Sequence, residues 1–93
     1  MAKIKWGKRA TKDLKSLYDF ISLDSVYYAD RYIDKIILRV DQLQNFPESG
    51  RPVPEKEDPS IRELIEGNYR IFYKIQKGNV FIVRIHHSSR KIK

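Results

Sequence analysis

At 93 residues the chain has room for one compact domain and not two, so any site must be built on a single small core. Its 41% hydrophobic and 12% aromatic content is that of a folded domain, and with no cysteine and only two adjacent histidines it lacks a disulfide framework, a thiolate nucleophile and metal-ligand spacing. The excess of 19 Lys and Arg over 12 Asp and Glu, a net charge of +7, suits phosphates or an acidic protein segment, or serves solubility alone.

Lys3-Ile4-Lys5-Trp6 alternates polar and apolar side chains, which puts Ile4 and Trp6 on one face of a short strand ending at Gly7. From about Lys8, residues Ala10, Leu14, Leu17 and Ile21 recur at spacings of three and four, predicting a first amphipathic helix. Leu23-Asp24-Ser25 interrupts that pattern with two residues whose side-chain oxygens can accept the free amides of a second helix. In that helix Val26, Ala29, Ile33, Ile36, Ile37, Val40 and Leu43 form an apolar stripe, closed at Phe46-Pro47 because proline cannot continue the hydrogen-bond ladder. So short a connection folds the pair back as an antiparallel hairpin.

All four prolines fall between Pro47 and Pro59, and this segment reads as a loop. Three strand-like runs follow: Ile61 to Glu66, Tyr69 to Lys77 and Val80 to His87, separated by Gly67-Asn68 and Gly78-Asn79, the signature of two tight hairpins. In the middle run Tyr69, Ile71, Tyr73 and Ile75 share one face, and Arg70, Phe72, Lys74 and Gln76 the other. The last stretch, Ser88 to Lys93, is polar and basic and reads as a mobile tail. No apolar run suggests a signal peptide or a bilayer span, so a cytoplasmic protein without membrane association is expected.

Three segments carry a resemblance: Phe46-Pro47-Glu48-Ser49-Gly50-Arg51; Arg62-Glu63-Leu64 with Gly67-Asn68-Tyr69-Arg70-Ile71 and Tyr73; and Ile85-His86-His87-Ser88-Ser89-Arg90. With the order of elements, they resemble the RelE/ParE superfamily of toxins of type II toxin–antitoxin systems over essentially the whole chain. The resemblance implies one α+β domain over residues 1–93, of order β-α-α-β-β-β. Its curved antiparallel sheet would carry the N-terminal antiparallel helical hairpin on one face. It also implies a cognate antitoxin protein wrapping the domain. The pairing of His87 with Arg90 fits the ParE-like branch, whose members poison DNA gyrase. The alternatives are cleavage of ribosome-bound mRNA, as in the RelE-like branch, or an inactive relative that only binds its antitoxin.

Metal-independent RNA cleavage needs a base for the ribose 2′-hydroxyl proton, an acid for the leaving oxygen and a fixed cation for charge on phosphorus. Arg70 matches the arginine that the nuclease branch places on this strand, and its planar fork suits two phosphate oxygens. His87, with an unperturbed pKa of about 6.5, could act as acid or base. Arg90 or Arg84 could add phosphate contacts, and Glu63 or Glu55 could supply the base. The competing reading makes Arg70 a strand arginine lying over Phe72 and paired with a nearby carboxylate. His86 and His87 point to opposite faces of a regular strand, so at most one joins a site with Arg70. The nuclease branch often carries lysines where this chain has Ile61 and Glu63, and a catalytic arginine where it has Ser88. The lost cations favour a ParE-like inhibitor over a nuclease, with no cofactor and no metal.

Overall fold

A computed structural model describes residues 1–88 of the chain, so Arg90 and most of the basic tail lie outside the described residues. The elements are β1 (Ile4–Trp6), α1 (Lys8–Ser22), α2 (Val26–Asp41), a 3-10 turn (Gln42–Gln44), β2 (Arg51–Pro52), β3 (Ile61–Glu66), β4 (Tyr69–Gln76) and β5 (Asn79–His87). They form an open five-stranded sheet of order β1-β5-β4-β3-β2.

The sheet is mixed, where a wholly antiparallel one was expected. β1 runs parallel to β5, with Ile4 opposite Val80 and Trp6 opposite Ile82, because the helical hairpin intervenes between β1 and the meander and supplies the long crossover that parallel strands require. Gly7 marks the exit from β1: its N–H donates to the Ile82 carbonyl at 2.9 Å, and a β-carbon there would stand 3.0 Å from that oxygen. The proline-rich loop also contains a fifth strand that periodicity could not announce. The two residues of β2 pair with Glu63 and Arg62 of β3, and Pro52 is tolerated because β2 is an edge.

Ser25 caps α2, its Oγ accepting the Tyr28 N–H at 3.1 Å. This is the side-chain cap that the Asp24-Ser25 pair predicts. The helix ends at Asp41, earlier than Pro47, and the 3-10 turn carries Leu43 into the core. Both helices cover one sheet face. Ala10 and Leu17 of α1, and Ile36 and Val40 of α2, pack on Leu64, Ile71, Tyr73, Val80, Ile82 and Ile85. Each fully buried Leu, Ile or Val of this set contributes about 1.5–3 kcal/mol of transfer free energy. Val26 and Ile37, which the apolar stripe includes, are exposed, while Tyr32 packs against the core and donates its hydroxyl to the Glu66 carbonyl at 2.9 Å.

The β4–β5 turn is Lys77-Gly78, one residue earlier than the Gly78-Asn79 expected, with φ of 52° and 75°. Two left-handed residues match the twist of the flanking strands. Further along, Tyr73 pairs with Ile82 but Phe72 pairs with Arg84, so Val83 is the extra residue of a β-bulge. Ile82 and Ile85, three apart, both reach the core as a result. The completely buried Tyr73 hydroxyl donates to the Pro47 carbonyl at 2.7 Å and accepts the Gly50 N–H at 2.9 Å, which fixes the loop leading into β2. A β-carbon at Gly50 would lie 2.5 Å from that hydroxyl, so the close approach requires glycine.

Candidate functional site

On the sheet face away from the helices, β3 and β4 place Glu63 and Arg70 side by side. The Glu63 carboxylate is 1% exposed and is shared by two arginines: Oε1 accepts Arg70 Nε, and Oε2 accepts Arg51 Nε at 2.6 Å. The two terminal nitrogens of Arg70 donate to Glu55 Oε1 and Oε2, each at 2.8 Å. Its guanidinium also lies 5.0 Å from the centre of the Phe72 ring. Arg70 therefore has the arrangement of a strand arginine lying over Phe72 and paired with carboxylates. All three of its nitrogens are engaged, and the Arg51, Arg70, Glu55 and Glu63 side chains balance in charge.

The electrostatics follow from these contacts. The hydrogen bonds from Arg70 hold the Glu55 carboxyl well below the usual carboxylate range, at about 2. In return, the hydrogen bonds to Glu55 and then Glu63 push the Arg70 pKa further up, so it stays cationic at every physiological pH. Glu63, enclosed and bridged by two cations, is poorly placed to take a proton from an outside hydroxyl.

The histidines divide at the bulge. His86 is paired with Arg70 across the strands, and its ring meets Phe72 edge-on at 5.7 Å. His87 is paired with Tyr69, meets that ring edge-on at 5.2 Å, and lines a surface depression of about 410 Å³ with Leu17, Phe20 and Ile85 on the helix side. Had Val83 paired with Phe72, plain alternation would have carried His87 to the side of Arg70; the bulge reverses this. Arg70, Glu63 and Glu55 are thus brought together, and His87 is not. Arg84 is committed elsewhere. Its Nε and one terminal nitrogen donate to Asp13 of α1 at 2.8 and 3.3 Å, and the Ile85 N–H donates to the same carboxylate at 3.0 Å.

Sequence reasoning missed Arg51 and Asp13 as members of these clusters, and of the two histidines it chose His87 where the fold places His86 beside Arg70. Asp13 had one available signal, as an acidic residue in a helix otherwise rich in lysine; Arg51 and His86 had none apart from tertiary register. Among the described residues no group of three or more His, Cys, Asp or Glu side chains could hold a metal ion, and no helix is long and apolar enough to cross a membrane.

A helical hairpin laid on one face of a small mixed sheet is the fold this chain shares with proteins of toxin–antitoxin systems. The chain aligns with a chain of the chromosomal ParDE system of P. aeruginosa at a TM-score of 0.77 and 27% identity, covering 94% of this chain and 96% of that one. It also matches the fold of a chain from the RelBE2 toxin–antitoxin complex of Mycobacterium tuberculosis, at a TM-score of 0.69 and 21% identity, over 92% of this chain and 96% of that one. The family model of the ParE toxin of the type II toxin–antitoxin system parDE matches residues 4–92, and the chain belongs to that family, within the RelE/ParE superfamily. It is a toxin of a type II toxin–antitoxin system. Among its relatives, the toxin RelE2 of Caulobacter vibrioides is 35% identical over 97% of this chain and 99% of its own length. The toxin RelE3 of the same organism is 32% identical over 95% and 96%.

Proposed function

We propose that this toxin arrests growth in the cytoplasm by binding DNA gyrase and not by cutting RNA, and that a cognate antitoxin protein neutralises it. The carrying observation is the state of Arg70: the arginine of the central strand is closed off by Glu55 and Glu63, with His87 on the opposite face. A phosphodiester would have to displace Glu55, and the imidazole it would meet on that face is His86 and not the expected His87. The ParE family match supports the gyrase target, and the toxin–antitoxin complexes among its structural neighbours support the antitoxin. The relatives RelE2 and RelE3 keep the RelE-like reading, cleavage of ribosome-bound mRNA, as the alternative.

Purified toxin at micromolar concentration is tested against gyrase supercoiling and against mRNA in a translating extract. Inhibited supercoiling with intact mRNA is the expected result. Codon-specific mRNA cleavage with normal gyrase activity would overturn the proposal. The antitoxin part is tested by mixing the toxin with the product of a neighbouring small acidic reading frame, where no complex at low salt counts against it.

A further inference from the structure

Glu55 stands in a run, residues 54–59, in which every residue is exposed, between Val53, which is buried, and Ser60, whose N–H and hydroxyl donate to Asp58. The bidentate pair with Arg70 ties this run to the sheet. The two anions on Arg70 differ in kind. Glu63 is completely enclosed, is held by a second arginine, and orients the guanidinium plane through Nε. Glu55 has a side chain that is 43% exposed and takes the outward fork. If Glu55 swings out, Arg70 stays aimed by Glu63 and stacked on Phe72, and presents two parallel N–H donors spaced for one carboxylate.

We propose that the outward fork of Arg70 is a recognition site for a carboxylate from an acidic segment of a partner protein, and that Glu55 occupies it in the free chain as a built-in competitor. The surroundings select a side-chain carboxylate over a polyphosphate backbone. Replacing Glu55 by another carboxylate preserves both the charge balance of the four-residue cluster and the paired geometry in which Glu55 meets the fork. Ile65, paired with Arg70 on the neighbouring strand, is 42% exposed and offers apolar contact to a peptide. The inference does not depend on the gyrase target, and it is read on the isolated chain, so either can fail alone.

The test is calorimetric titration of hexaglutamate, and separately of hexauridylate, into the full chain and its variants. A competitor seated nine-tenths of the time weakens apparent affinity by about tenfold. Glu55→Ala is therefore expected to bind hexaglutamate at least about tenfold more tightly than the unaltered chain. Glu57→Ala, which removes the same charge from the same loop, leaves the affinity unchanged, and Glu55→Ala combined with Arg70→Lys loses the gain. In Glu55→Ala the N–H resonances of the two Arg70 terminal nitrogens shift on saturation with the peptide, a readout that needs no second variant. Equal affinity with and without Glu55, a gain that survives Arg70→Lys, or an unshifted resonance would each overturn the proposal. An equal gain for hexauridylate would overturn the carboxylate specificity.

Discussion

Replacing Tyr73 by Phe removes a single oxygen from the centre of the molecule and breaks two bonds at once. The hydroxyl is inaccessible to solvent, and burial pushes its pKa up, so it is a neutral donor to the Pro47 carbonyl and acceptor from Gly50 N–H. Without it both backbone groups lose a partner, and Gly50 is itself buried. A net loss of about 1 kcal/mol per bond gives about 2 kcal/mol in all. At about 4–8 °C per kcal/mol for a domain of this size, Tm falls by about 8–16 °C. Differential scanning calorimetry measures this directly, with Tyr18→Phe as the control, since that hydroxyl donates to Asp30 at an exposed position and its loss stays within about 0.5 kcal/mol. A Tyr73→Phe protein that melts within about 2 °C of the original would refute the idea that this hydroxyl fastens the loop.

Glu63→Gln leaves Arg51 and Arg70 around a neutral group and should lower stability by about 3–5 kcal/mol, read as a fall in the urea midpoint at unchanged m-value. Glu55 has a folded-state pKa depressed to about 2, so its contribution to stability is complete above its unfolded pKa and is lost as the pH falls through that window toward 2. A carbon-detected NMR titration should place its midpoint there, and Arg70→Lys should move it upward. Asp13→Ala frees both Arg84 and the Ile85 amide; about 2 kcal/mol of destabilisation and faster hydrogen exchange at Ile85 are expected, and unchanged exchange would show that Asp13 does not cover the edge of β5.

Local chemistry was legible where it was self-contained. The Ser25 cap, the helical spacings in α1 and the span of β3 each follow from neighbours within a few residues. The parallel pairing of β1 was not legible, because Ile4 and Val80 lie 76 positions apart and nothing in a three-residue strand specifies its partner or direction. β2 was hidden for a related reason: two residues carry no periodicity, and one of them is proline. For the site, the importance of Arg70 was visible from its segment, and Glu55 and Glu63 were both in view as carboxylates. Their actual use, as two halves of a clamp on one guanidinium, depends on how the loop folds back over β4.

In a central strand, losing one residue ordinarily turns over every side chain beyond the cut. Position 83 of β5 is an exception. Because Ile82 already faces Tyr73 and Arg84 already faces Phe72, excising Val83 makes two correctly paired residues consecutive and leaves both faces as they were. The strand thus carries one unit of slack, upstream of the histidines, through which its length can change while His86 stays beside Arg70 and His87 stays under the helices.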